Sequence, residues 1–555
     1  DVYKRQNLYL KVQCVPFNNI PFNFSLVNHN PPIADLLDCI DSSERTHELF
    51  ARLIKNNTEQ RGILYTSKAD IVGFKNPEEL AEKYNNVLYH RHQYARIEIF
   101  KNHFYIKEYD ENVYEIIYKL KKYAESGIKN YTHSVDLWMK NSGLIIDCDE
   151  KKNALRNLFK NSKVAFIYGA AGTGKSTMIN YISSLFKDKQ KIFLANTNPA
   201  VENLRRKVTA EHAEFVTITK FLSKDVSNDC DILCLDECST ISNRDMVRVL
   251  QRAQCKLLVL VGDIYQIESI LFGNWFNIAY KVMPKDSVAE LTRPHRTTVQ
   301  GLIEVWNKVR EITEDRLEFI TRNGLSSTLD ESIFSRTEED EIVLCLNYDG
   351  IYGINNINKF LQSNNVNPSI NWGVLSYKVG DPVLFNESNR FAPLVYNNLK
   401  GKILQIEEEE DCIYFTIEVY TVLNELDVIG FDLELKESVT DETSVIRFKV
   451  GRGGDGNDDN DNVENVVPFQ VAYAISIHKA QGLEYESVKV VITSEIEEMV
   501  SHNIFYTAIT RAKSKLKIYW SPETEKRILE NMKVQFNDKD YQLFKAKYKE
   551  ALLKS

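Results

Sequence analysis

The chain has 555 residues, 43% of them hydrophobic, and a formal net charge of −9. That length is too great for one core and predicts about three or four domains in a soluble globular protein. The acidic balance excludes a protein that coats nucleic acid by charge alone, but leaves room for a local groove.

No apolar run approaches the roughly 18 residues of a membrane span, so no membrane association and a cytoplasmic location are expected. No secretory signal is visible. The chain starts at Asp1 rather than Met, which reads as a fragment or as a few foreign residues at the start. Nine cysteines are scattered without a CxxC pair, as expected of reduced thiols. Cys230, Cys234 and Cys238 recur around a predicted strand rather than on a helix, and no zinc site is read there.

Residues 1–135 are rich in Tyr, Phe and Asn. Asn76 to Tyr84 has the Asn-Pro-Glu-Glu opening of a capped helix. Ala95 to Lys107 reads as two strands paired around Lys101-Asn102. Glu111 to Ser126 reads as a helix. His90, His92, Glu98 and Lys101 could be assembled into a metal nuclease, but a solvated polar turn accounts for them. Nothing here identifies a function. If the region is only a specificity module, deleting it leaves the activity of the rest intact.

Cys148 to Asn161 predicts an amphipathic helix. An apolar strand, Val164 to Tyr168, then runs into Gly169-Ala-Ala-Gly172-Thr173-Gly174-Lys175-Ser176 and a helix from Thr177. Strand, glycine loop and helix in this order make a phosphate-binding loop. Its glycines let several backbone N–H groups face one phosphate, and the helix N-terminus adds partial positive charge. Lys175 can reach the β- and γ-phosphates, and the Ser176 hydroxyl can hold Mg²⁺.

Further apolar strands end in polar residues: Lys191 to Ala195 before Asn196-Thr197-Asn198, Asp231 to Leu235 before Asp236-Glu237, and Lys256 to Val261 before Gly262-Asp263-Ile-Tyr-Gln266. Asp236 is the expected Mg²⁺ ligand with Ser176. Glu237 would orient or deprotonate the attacking water, and Gln266 would sit near the γ-phosphate. Alternating strands and helices imply a parallel sheet whose ligand site lies at the strands' carboxyl ends. All these clusters fall at such ends.

From about residue 290 a second α/β unit begins, with a strand over 341–347 and a helix over 353–363. Residues 374–450 change to short strands with turn signals, which suggests an inserted small β-barrel. The acidic run Gly451 to Asn462 resembles a calcium loop only loosely, because Asn460 and Val466 stand where Gly and Glu are required. It reads as a flexible surface loop. The α/β unit resumes at Val471. A helix is expected from Ile504 through Lys513, carrying Arg511, and a last strand over 515–519.

Taken together, these segments resemble the motifs of superfamily 1 helicases, in order, over residues 147–520. The likeness is to RecD-like and Dda-like helicases. The carriers are the loop at 169–176, Ala195 to Pro199, Val216 to Leu222, Asp236-Glu237, Gly262 to Gln266, Arg296, residues 473–484 and residues 506–513. The resemblance implies two RecA-like P-loop domains with parallel sheets, an SH3-like barrel inserted in the second, and an α+β N-terminal domain outside the likeness. The expected divisions are 1–135, 136–290, 291–373, 374–466 and 467–555.

The same resemblance implies ATP and Mg²⁺ as cofactors. Gly169, Gly172, Thr173, Gly174, Lys175, Ser176, Thr177, Gly482 and Glu484 would bind the nucleotide. Arg296 and Arg511 would reach across a cleft to the transition state. Asn196, Thr197, Asn198 and Thr217 on one side, and Ser476, His478 and Lys479 on the other, would grip a single strand through its backbone. Tyr265, Phe272, Trp275 and Tyr473 are candidate base-stacking residues, with core packing the favoured reading of each. Lys151 stands where the family's adenine-reading Gln belongs, and His295 where an aromatic residue precedes Arg296. The short interval between 199 and 231 leaves room for a small strand-separating pin at most.

The leading expectation is an ATP-dependent DNA helicase or translocase acting on single-stranded DNA or single-strand/duplex junctions, moving 5′ to 3′. An RNA helicase of the same superfamily and an ATP-gated binding switch, docking a protein partner through the N-terminal region, are the alternatives. A P-loop kinase is not expected, because it has no use for the second unit's Gln481-Gly482-x-Glu484 and Thr510-Arg511 segments.

Overall fold

The structure is a computed structural model. It describes residues 45–553 except 171, 224–227, 267–271, 294–296, 298, 374, 387–389, 393, 439, 452–464 and 533–537. The acidic run after Gly451, together with His295 and Arg296, falls outside the described residues.

A six-stranded parallel sheet organises the first half. Its strand order is Ala213–Thr217, Lys191–Ala195, Asp229–Leu235, Gln254–Gly262, Val164–Gly169 and Val288–Leu291. Val164–Gly169 and Lys191–Ala195 are buried along their whole length, as strands covered on both faces must be. The register aligns their carboxyl ends. Ala195 lies beside Thr217, Leu235 beside Leu260, and Tyr168 beside Gly262. The residues that follow each strand therefore emerge along one edge. Helices Lys175–Leu185, Asn198–Lys207 and Asn243–Arg252 connect the strands. Ser242 caps the last of these by accepting from the Asp245 amide.

A five-stranded parallel sheet organises the second half, in the order Ser326–Ser327, Ala512–Tyr519, Tyr485–Val491, Glu341–Cys345 and Ala474–Ser476. Its core includes Trp306, Phe505 and Trp520, all essentially buried. The expected helix through Lys513 is shorter than the sequence suggests. It runs His502–Ile509, and a strand begins at Ala512. Arg511 and Lys513 are therefore off the helix. The cause is a sheet hydrogen bond, in which the Tyr485 amide donates to the Arg511 carbonyl at 3.0 Å and draws that residue into the sheet.

Six antiparallel strands with an apolar core of their own are inserted where the small barrel is expected. Their order is Glu434–Lys436, Ser444–Gly451, Cys412–Val419, Lys400–Glu408, Pro382–Phe385 and Phe469–Val471. Phe385, Phe391, Phe415 and Phe448 fill that core.

The N-terminal region is α+β. The strands Ile97–Phe100 and His103–Ile106 pair across Lys101 and Asn102, whose φ values of 46° and 61° make a two-residue left-handed turn. The helix expected from Glu111 begins at Lys107 and ends at Ala124. The helix read at Asn76 runs Pro77–Val87, with Pro rather than a side-chain cap bond at its start. Val113, Ile116, Ile117 and Leu120 share one apolar cluster with Phe166 and Leu233 of the first sheet. The C-terminal helix Asp538–Leu553 returns to the same place, with Phe544 wholly buried there. Among the described residues no helix is long and apolar enough to cross a membrane.

Candidate active site

The glycine loop closes on itself. Gly172 and Gly174 have φ of 78° and 86°, a left-handed backbone that favours glycine. A Cβ on Gly169 would stand 2.4 Å from the Thr173 hydroxyl, and that hydroxyl donates to the Ala170 carbonyl at 2.9 Å. Gly169 and Thr173 thus shape the loop from behind. Lys175 Nζ donates to the Gly169 and Ala170 carbonyls at 2.8 and 3.0 Å, so its ammonium lies over the loop's mouth.

A cavity of about 290 Å³ opens at this edge of the sheet. From the first unit, Gly172, Gly174, Lys175, Ser176, Thr177, Asp236, Glu237 and Gln266 line it. From the second unit come Gly482, Glu484 and Arg511. Three clusters distant in sequence therefore meet a fourth from the other sheet.

Asp236 and Glu237 follow the strand Asp229–Leu235. The Glu237 amide donates to Asp236 Oδ1 at 2.8 Å. Burial raises the Asp236 carboxyl above its usual range, while the Glu237 amide, Lys175 and Lys207 pull it down. A bound cation would favour the charged form in the same way. Glu237 has φ of 51°, a backbone a non-glycine residue holds only when its surroundings enforce it. Ser176 and Asp236 offer hydroxyl and carboxylate oxygen, a donor set that fits Mg²⁺.

Arg511 is 3% exposed and inside the second unit. Its Nε donates to the Thr507 carbonyl at 3.1 Å and an Nη to the Leu483 carbonyl at 3.2 Å. These bonds hold the guanidinium at the cavity wall. Gly482 has φ of 76°, and a Cβ there would lie 3.9 Å from both Glu237 Oε1 and the Ala200 amide nitrogen. The two units approach closely at this turn. Lys207 and Glu484 form an ion pair across it at 3.5 Å.

Asn203, Lys207, Gly262 and Asp263 also line the cavity; the sequence marked the last two only as part of the Gly262–Gln266 segment and gave the first two no role. Asn203 and Lys207 are four apart on the helix Asn198–Lys207, one face of it, and that spacing was the available signal.

The residues expected to grip a strand lie at or just after strand ends, in two groups, one on each sheet. Thr197 caps the helix Asn198–Lys207, accepting from the Ala200 amide at 3.4 Å, and Thr217 caps the next helix, accepting from the Lys220 amide at 3.2 Å. Asn196 donates to the Thr240 carbonyl at 3.0 Å, and Asn198 is exposed. In the second unit, Ser476 accepts from the Lys479 amide at 3.2 Å, Lys479 Nζ donates to Gln470 at 2.9 Å, and His478 is exposed.

Of the candidate stackers, Phe272, Trp275 and Tyr473 are buried in cores, as the packing reading had it. Tyr265 packs between the two units. Lys151 is 1% exposed, bonded to Asp147 at 2.5 Å, and its Nζ would be 2.6 Å from a Cβ on Gly174. It supports the loop from behind.

Two family models match the chain. One, described as an AAA domain, covers residues 148–330, and the other, a UvrD-like helicase C-terminal domain, covers residues 471–519. RecD of the RecBCD enzyme from Buchnera aphidicola subsp. Schizaphis graminum is 23% identical, over 70% of this chain and 78% of its own length. The ATP-dependent DNA helicase Pif1 of Campylobacter jejuni is 23% identical, over 64% of this chain and 88% of its own. The chain is similar to RecD- and Pif1-like superfamily 1 helicases. An uncharacterized protein of Methanocaldococcus jannaschii is 24% identical over 66% of this chain, which spans only 37% of that relative's length. This likeness agrees with the order of the clusters along the chain and with their meeting at one cavity.

Proposed function

We propose that the chain is an ATP-dependent DNA helicase or translocase that moves along single-stranded DNA from 5′ to 3′. One observation carries the reading: the phosphate loop, the Asp236-Glu237 pair and Gln266 of one sheet line the same cavity as Gly482, Glu484 and Arg511 of the other. A nucleotide held there touches both units, so its binding and release bias the cleft.

In this reading Lys175 and the loop amides bind the ATP phosphates, and Ser176 and Asp236 hold Mg²⁺, which would neutralise phosphate charge. Glu237 orients the attacking water and takes up its proton. Arg511 supplies charge to the transition state, and Arg296 joins it. Asn196, Thr197, Asn198 and Thr217 contact the strand on one side. Ser476, His478 and Lys479 contact it on the other, and the inserted antiparallel unit acts as an SH3-like barrel beside it. The relatives named RecD and Pif1 support DNA as the track. A cytoplasmic location and a protein partner for the N-terminal region complete the proposal.

The test is ATP hydrolysis by the purified chain, alone and with single-stranded DNA or RNA of mixed sequence. Stimulation by DNA is the expected result. Stimulation by RNA alone moves the track to RNA. Nucleotide binding without stimulation by either sinks the motor.

A further inference from the structure

One side chain belongs to both apolar cores. Tyr265 packs against the cluster of the first sheet and against that of the second. It sits on the turn 263–266, two of whose members, Asp263 and Gln266, line the nucleotide cavity. The turn is held from within, as the Tyr265 amide donates to Asp263 Oδ1 at 3.0 Å and the Gln266 amide to the Asp263 carbonyl at 3.3 Å.

Arg310 reaches this turn from the other unit. It ends the helix Gln300–Arg310, whose Leu302, Val305, Trp306 and Val309 lie in the second core. Its guanidinium carbon lies 4.7 Å from the centre of the Tyr265 ring, within cation–π range. An Nη stands 3.6 Å from Glu290 on the last strand of the first sheet. Asp263 Oδ2 and Arg310 Nε are both buried, and neither has a hydrogen-bond partner among the described residues. Burial opposes the Arg310 charge, but Asp263, Tyr506, Tyr265 and Glu290 outweigh it and push its ionisation upward. His502 and Tyr506 of the second unit close the edge of the Tyr265 ring, at 6.1 and 6.4 Å between centroids. The ring is partly buried between the two units, which favours the packing reading over the base-stacking role considered from sequence.

We propose that Arg310 is a positioning residue: by clamping Tyr265 beside Asp263 it holds the 263–266 turn, and with it Gln266, against the nucleotide site, and it transmits movement of the second unit to that site. Arg310 touches no substrate and acts through the turn. The inference rests on the hydrolysis reading for its kinetic consequence, but not for its structural one.

Arg310→Met keeps the apolar stem and removes the charge. The expected result is a fall of about tenfold in strand-stimulated kcat, inside the ordinary range of coupling between sites, with the KM for ATP and the affinity for single-stranded DNA unchanged. Arg310→Lys keeps a cation over the ring but loses the planar fork, and recovers part of the loss. If Arg310→Met lowers Tm too far for assay, Arg310→Lys carries the test with a smaller loss confined to kcat. Amide exchange answers the same question without turnover: Arg310→Met must speed exchange at residues 264–266 and leave Val164–Gly169 protected. Unchanged stimulation, a raised KM with intact kcat, or unchanged exchange at 264–266 would each overturn the proposal. A wild-type chain with no stimulation, combined with faster exchange in the variant, would refute the motor and leave the clamp standing.

Discussion

Lys175 and Arg511 line one cavity, and under the proposed function they act differently on one nucleotide, which their variants separate. Lys175 holds the loop mouth through the Gly169 and Ala170 carbonyls, so Lys175→Ala is expected to bring phosphate release to background. Arg511 is buried and bonded to Thr507 and Leu483, so its charge matters mainly once phosphate charge is being redistributed. Arg511→Lys should bind a fluorescent ATP analogue like wild type while hydrolysis falls about a thousandfold, the usual scale for such an arginine.

Among the described residues, two buried imidazoles make stability sensitive to acid. Burial lowers the pKa of His502 and of His47, with Lys83 and Arg45 adding to the effect at His47. In the unfolded chain histidine titrates near about 6.5. Below that pH the unfolded state takes up protons that the folded state refuses, so stability falls as pH drops toward the depressed folded values. Tm measured from pH 7.5 to 5.5 should therefore decline, and His502→Gln should show a shallower slope.

At the scale of elements, the C-terminal helix Asp538–Leu553 works as a strap. Asp540 is 2% exposed and accepts from the Leu64 and Tyr65 amides at 2.7 and 3.0 Å. Lys547 pairs with the buried Asp110 at 2.6 Å. Asp540→Ala strands two buried N–H groups, each worth about 1–3 kcal/mol. Denaturant unfolding should show a loss of about 2–4 kcal/mol at an unchanged m-value. The strands and helices themselves were readable because their patterns are local. Continuous apolar runs mark the buried parallel strands, and Lys101-Asn102 marks a hairpin. The one element misjudged around the site, the helix through Lys513, ended early because a strand bond from Tyr485 to the Arg511 carbonyl captured its last residues. Such a competition depends on a partner 26 residues away and leaves no trace in the local pattern.

At the scale of the molecule, the N-terminal region is not a loosely attached module. The helix Lys107–Ala124 shares an apolar cluster with the first sheet, and Phe544 from the far end of the chain joins it. Removing residues 1–135 uncovers that cluster, and the expected product is aggregated or loosened protein rather than an active core. Size-exclusion chromatography and circular dichroism of the truncated chain check this, and a compact, DNA-stimulated ATPase would refute it.

The sequence by itself determined the phosphate loop, the acidic pair at a strand end and the order of the clusters, because each is a short stretch whose backbone needs or chemistry are written in adjacent residues. It also placed Lys151 where the family has Gln, but not its burial behind Gly174 with Asp147. Only the tertiary structure decided that Asn203, Lys207 and Asp263 line one cavity, that Tyr265 packs between the two units, and that the helices Lys107–Ala124 and Asp538–Leu553 both brace the first sheet. Those facts depend on which surfaces meet across hundreds of residues. Packing sets them, since an apolar face or a buried carboxylate takes whichever partner the closed fold brings to it.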